Sequence, residues 1–208
     1  MSTRVWALAV GGAGADVVRG QTRPPERVVT VEELRGGAFD APPDWLWVVD
    51  ARVRPAADAL ARLLEAAESL DGLPAPVLLA SHVTSSDPLA EPLPALDKEL
   101  EVEAAARGLV PVRALATASF LVRPGALGAL ELVSAGRFFA LTAELLRDSP
   151  GYLVPGSHAS LDGRVSERVR ARAGTLRSAW RGPERAWFAL RLVRDRRAAG
   201  RATTMARR

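Results

Sequence analysis

The chain has 208 residues, 48% of them hydrophobic, which is enough to bury one core in a single domain or a domain with an appendage. With no cysteine and only two histidines, it excludes a disulfide framework, a thiolate nucleophile, a zinc–cysteine site and a histidine-rich metal site, and no apolar run approaches the ~20 residues that span a bilayer. The net charge of +4 hides a division: from Arg164 onward fourteen arginines meet only Glu167, Glu184 and Asp195, a balance of +11, whereas the preceding residues sum to −7.

"RVWALAV" (4–10) reads as a first core strand of a cytoplasmic protein, its apolar part shorter than the roughly 7–15 residues of a signal-peptide core. The glycine turn Gly11, Gly12, Gly14 follows. It lacks the third glycine of a dinucleotide fingerprint, because Val17 stands there. A short helix is expected over 15–21, and "RVVTVEE" (27–33) reads as a second strand ending in Glu32 and Glu33. "WLWVVD" (45–50) is the third strand and delivers Asp50 at its end. Pro55 is placed to open a helix, and "PAADALARLLEAAESL" sets Leu60, Leu63, Leu64 and Ala67 at helical spacing.

"APVLLASHV" (75–83) reads as a fourth strand, with His82 a buried, satisfied histidine. "TSSDPLAEPLPALD", with its three prolines, reads as a loop. A helix over 98–108 closes on Gly108, and 109–124 is extended, two strands with a bend. From Pro124 the pattern is mostly helical as far as "SPGYLVPGS", and His158 falls in a turn. Strands alternating with helices predict an α/β domain over 1–163 with a mainly parallel sheet. A basic helical extension is expected over 164–208.

In such sheets ligands bind beyond the carboxyl ends of the strands, where Glu32, Glu33 and Asp50 are expected. A carboxylate there suits a hard divalent cation, Mg²⁺ or Mn²⁺, that in turn grips a diphosphate. Arg52 or Arg54 offers the alternative of binding the diphosphate directly, since guanidinium recognises phosphate bidentately. There is no G-x-S-x-G elbow and no Walker loop to support a hydrolase or an ATPase.

A series of landmarks resembles glycosyltransferase family 2, the nucleotide-sugar transferases of GT-A fold. They are "GQTRPPERVVTVEE" (20–33), "DWLWVVDARVRPAADALARLLEA" (44–66), "ATASFLVRPGAL" (116–127), "RFFALTAELLRDSPGYLVPGS" (137–157) and "PERAWFALRLVRDR" (183–196). The last is similar to rhamnosyl- and galactofuranosyl-transferase-like members. The resemblance implies that Glu32 contacts the nucleoside and that Asp50 is the first Asp of Asp-X-Asp, binding metal or diphosphate. Glu144 becomes the base for an acceptor hydroxyl. Ala51 and Arg52 stand where that motif continues, and a guanidinium there repels a cation. Ala140, Leu141, Thr142 and Ala143 replace the acidic cluster, and His158 lies three residues before the expected histidine position at Leu161.

The scaffold is therefore expected to be slow or catalytically degenerate, its metal weak or absent. Three readings follow. The first is a transferase using a nucleoside-diphosphate sugar and a glycan or lipid-linked acceptor. The second is a non-catalytic partner protein of the same fold. The third is an adaptor acting through the arginine-rich tail, whose Trp187, Leu190 and Val193 stripe suits its own domain, a second copy or an anionic inner-membrane surface; in that reading Trp180 and Trp187 could also stack nucleic-acid bases.

Overall fold

The computed structural model describes residues 3–10, 15–36, 42–70, 77–87, 90–127, 138–147 and 149–163. The glycine turn, the stretch 128–137 and the whole arginine-rich extension lie outside the described residues, and so do the expectations made for them.

Among the described residues, nine strands form one sheet. They are β1 (Val5–Val10), β2 (Arg27–Val29), β3 (Trp45–Asp50), β4 (Val53–Pro55), β5 (Leu78–Thr84), β6 (Leu93–Pro94), β7 (Val110–Ala114), β8 (Ser119–Val122) and β9 (Gly151–Leu161). Their order is β2-β1-β3-β8-β5-β9-β7-β6, with β4 on the far end of β9. Strands β1, β2, β3, β5, β6 and β9 run one way, and β4, β7 and β8 run against them. The sheet is thus mostly parallel, as expected, but β8 is inserted antiparallel between β3 and β5.

Helices cover both faces. Side chains alternate across a strand, so Trp45, Trp47 and Val49 of β3 pack with Leu79, Leu121 and Tyr152 on one face. Leu60, Leu63 and Leu64 of α3 (Ala59–Glu68) cover that face, joined by Val18 of α1 (Ala15–Arg19) and Ala104 of α4 (Lys98–Ala105). Leu46 and Val48 point the other way, into a cluster with Leu8, Phe120 and Phe138. Phe138 opens α5 (Phe138–Leu145), and Val31 and Leu34 of α2 (Val31–Gly36) pack against the same cluster. With both faces covered, β3 is buried from end to end, which is why it reads as an unbroken apolar run.

Several boundaries differ from the sequence expectation, each for a local reason. The second strand stops at Val29, and Glu32 and Glu33 lie in the first turn of α2 instead of on a strand end. Thr30 and Glu33 form a reciprocal capping box there: Thr30 N–H donates to Glu33 Oε2 (2.7 Å) and Glu33 N–H to Thr30 Oγ1 (3.2 Å). Pro55 ends β4 rather than opening a helix, and α3 begins at Ala59. The cap of α3 comes from afar, since Leu60 N–H donates to Oε1 of the buried Gln21 (3.1 Å). Pro155 and Gly156 make no turn; the chain runs through them as β9, with a register shift opposite Ser81 and His82. The expected helix over 98–108 ends at Ala105, and Gly108 follows at φ +68°.

Candidate functional site

Asp50 ends β3 at the carboxyl edge and shares the side-chain parity of Leu46 and Val48. It therefore belongs to the face covered by α2 and α5. Its backbone is fixed from both neighbouring strands: Asp50 N–H donates to Ala118 O, and Ala51 N–H to Val10 O, both at 2.9 Å. Its carboxylate is 0% exposed.

Arg52 supplies the contacts that make such burial tolerable. Its backbone N–H donates to Asp50 Oδ1 (2.9 Å), its Nε to the same oxygen (3.2 Å), and its Nη2 to Oδ2 (2.8 Å). This is a two-pronged guanidinium–carboxylate fork with a turn bond added. The pair holds the guanidinium above its ordinary pKa, chiefly through the hydrogen bonds to Asp50, with burial opposing. Arg52 itself is 29% exposed, so the fork has one dry end and one wet end. Ala51 needs no polar side chain, because the cation that partners Asp50 arrives from the next position.

The chain returns to this turn from its other end. Asp162 N–H, just past β9, donates to Arg52 O (2.9 Å), and Arg54 Nε meets Asp162 Oδ2 at 3.1 Å on the surface.

The other expected site residues lie on the same face without joining the fork. Glu32 is exposed on α2, and Glu144 is exposed on α5. Neither side chain makes a hydrogen bond or ion pair with Asp50 or Arg52 among the described residues. Thr142 occupies the stretch where the resemblance places the acidic cluster. It is buried, accepts from Leu115 N–H (2.8 Å), and lies 2.7 Å from Phe138 O and 3.2 Å from Leu115 O. That hydroxyl anchors α5 to the loop before β8. Glu144 lies about 200° further round the helix, turned from the anchoring side.

A divalent cation finds a poor fit at Asp50. Both carboxylate oxygens are engaged by Arg52, and no group of three His, Cys, Asp or Glu side chains able to hold a metal occurs among the described residues.

Features that sequence reading missed also lie at this edge. His82 is exposed rather than buried, and His158 sits in β9 rather than in a turn. The bulge in β9 brings them opposite each other, with ring centroids 6.0 Å apart. On the opposite face Ser81 Oγ lies 2.9 Å from Ser119 Oγ and 2.8 Å from Ser157 Oγ, and Ser157 donates to Ala59 O (2.9 Å). A glycine beside Ser157 in the strand was the available signal for a bulge. A groove of about 270 Å³ opens between His82, Glu91, Pro94, Val110 and Leu153, on the side of the sheet away from α3.

No family model matches the chain, and no curated protein does. Among solved structures it is similar to GalNAc-T7 with UDP, GalNAc and Mn²⁺, a glycosyltransferase of GT-A fold, with a TM-score of 0.53 at 10% identity over 89% of this chain. The match covers 49% of that chain, so this protein spans about half its length. A second similar structure, A197 from STIV, has a TM-score of 0.47 at 12% identity, covering 75% of this chain and 84% of that one. At these identities the likeness concerns the fold, which is mixed α/β and GT-A-like.

Proposed function

We propose that this chain binds a nucleoside-diphosphate sugar at the carboxyl edge of β3, as a relative of glycosyltransferase family 2 whose transfer is slow or lost. The observation that carries this reading is the Asp50–Arg52 fork. A carboxylate at the end of a fully buried strand of a GT-A-like sheet is held by a guanidinium that is partly exposed. Arg52 stands where a metal would otherwise bridge carboxylate and phosphate, so the diphosphate is met by N–H donors rather than by Mg²⁺ or Mn²⁺. Glu32, on the same face, is assigned to the nucleoside.

Catalysis would fall to Glu144, taking the proton of an acceptor hydroxyl on a glycan or a lipid-linked sugar. General-base action contributes typically ~10²–10⁴ in rate, and no second acidic residue supports it in α5. Thr142, tied to Leu115, supports a structural use of that stretch. The reading is therefore of binding with residual transfer, and a non-catalytic partner role is its limit. Residues 1–163 would hold this site, and 164–208 would form a separate extension.

Calorimetric titration with UDP, GDP and dTDP, each with and without Mn²⁺, tests the reading. One of the three should bind in EDTA, with no tightening on adding Mn²⁺. No binding by any of them would end it. Where transfer is measurable, Glu144→Gln should lower kcat by about 10²-fold or more and leave nucleotide affinity unchanged.

A further inference from the structure

The chain holds two histidines and no cysteine, and the fold brings both histidines to one point. At the carboxyl end of β5 the pairing with β9 jumps from Ser81↔Val154 to His82↔His158, so Pro155, Gly156 and Ser157 have no register partner on β5. Ser157 Oγ meets Ser81 Oγ at 2.8 Å and donates to Ala59 O, and Ala56 N–H donates to His158 O, which pins the strand where the bulge ends. Consecutive side chains alternate across a strand. The serine clamp on the α3 face therefore sets His82 and His158 opposite each other on the other face. Their ring centres are 6.0 Å apart, with the planes at 59°. Both side chains are exposed, and neither ring makes a hydrogen bond or ion pair among the described residues.

Two imidazoles held on neighbouring strands with their nitrogens uncommitted have the makings of a chelate. Metal–nitrogen bonds of about 2.0–2.1 Å put two nitrogens on one ion no more than about 4.2 Å apart. Ring centres at 6.0 Å reach that span once the facing nitrogens turn inward. Exposed side chains make such turns between staggered wells without disturbing a core.

We infer that His82 and His158 bind one transition-metal dication between them, through one nitrogen each, with water at its remaining positions. Imidazole suits copper, zinc and nickel, whereas Mg²⁺ and Mn²⁺ prefer oxygen. Asp50 takes no part: it stands across β8, with both oxygens on Arg52. No group of three His, Cys, Asp or Glu side chains forms among the described residues, so the two imidazoles leave the ion's other positions open. His82 also lines the groove beside Pro94, Val110 and Leu153, where a small ligand would reach that open side. The inference is independent of nucleotide binding.

The test titrates the full chain, without an affinity tag, with Cu²⁺, Zn²⁺ and Mg²⁺ in a buffer that does not coordinate metals. Cu²⁺ should bind at one equivalent and more tightly than Zn²⁺, and Mg²⁺ should not bind. The electron paramagnetic resonance spectrum of the Cu²⁺ complex should show two imidazole nitrogens on the ion. His82→Gln and His158→Gln should each weaken Cu²⁺ by about tenfold or more, the cost even of an outer-shell partner. The double variant should be little worse than either, because one loss already ends the chelate. Zn²⁺ should raise the melting temperature of the native chain and of neither variant, since an ion bound only by the folded state stabilises it. Should a Gln variant melt lower in EDTA, His82→Thr or His158→Thr, with a better strand residue, replaces it. Two equivalents, one lost with each histidine, would mean separate surface sites and overturn the inference. So would an absence of Cu²⁺ binding, or binding that neither substitution changes, which would be an adventitious ion only.

Discussion

The two faces of the sheet bury polar groups at the same carboxyl edge in opposite ways. On the α3 side the groups are neutral. Ser81 joins Ser119 and Ser157, Ser157 ends on Ala59 O, and Gln21 closes the helix terminus beside them. Every bond in that network is returned to the protein, and nothing in it is offered to solvent. On the α5 side the groups are charged, and Arg52 keeps one end in water while its other end seals Asp50. A closed neutral network is an element of construction. An ion pair with one wet end is a place where something from outside can be met.

The sharpest way to break that contrast is Arg52→Ala. It leaves the Asp50 carboxylate buried and uncompensated, and loss of one partner of a buried pair costs about 3–5 kcal/mol. We expect a loss near the lower end, about 3 kcal/mol, because water can enter where the partly exposed guanidinium stood. Urea denaturation should show it as a lower midpoint with the same slope. A loss below about 1 kcal/mol, the range of exposed pairs, would mean that Asp50 is reached by water and that the two faces are alike.

Ser81→Ala comes next. It removes the hydroxyl shared by Ser119 and Ser157 and should cost about 1–2 kcal/mol, with nucleotide binding unaffected. Altered affinity would place the serine network in the ligand site and erase the distinction between the faces.

Tyr152→Phe is smaller and of opposite sign. The hydroxyl is buried with no hydrogen-bond partner among the described residues, so its removal should raise stability by up to about 1 kcal/mol. Burial, with Glu103 adding to it, lifts the Tyr152 pKa above its ordinary value. A raised folded-state pKa contributes stability below the unfolded value of about 10 and loses it as pH rises beyond. Melting above that pH should therefore fall more steeply for the native chain than for Tyr152→Phe. Smallest of all, Glu144→Gln should leave stability within about 0.5 kcal/mol, since the side chain is exposed on α5. A larger change would give Glu144 a structural role and remove it as the base.

The strands at 5–10 and 45–50 were legible because each is an apolar run closely covered on both sides, and 78–84 because its first residues, Leu78, Leu79 and Ala80, are such a run. Asp50 was legible for the same reason: a charge that closes such a run marks the edge. Its use was not, because the pairing of Asp50 with Arg52 depends on how tightly the chain turns at Ala51. β9 was hidden by Pro155 and Gly156, which signal a turn unless a bulge absorbs them. The His82–His158 pair was hidden with it, since the two residues oppose each other only through that bulge. Helix α2 was misread although Thr30 and Glu33 spell a capping box; the β-branched run before them carried the strand pattern too far. The antiparallel course of β8 has no local signature, because pairing direction is decided by partners distant in sequence.

That inserted strand also has a consequence for synthesis. β3 carries Trp45, Leu46, Trp47, Val48 and Val49, and its outer hydrogen-bonding edge is filled by Ser119–Val122. At ~5–20 residues per second, a ribosome needs roughly 4–14 s to make the intervening chain. Throughout that wait the stickiest edge of the nascent protein stands unpaired. Release of chains ending before residue 119 should give aggregates, and chains that include 122 should stay dispersed. The late strand is the closing clasp: Ser119–Val122 covers the edge of the tryptophan-bearing strand only once it has emerged.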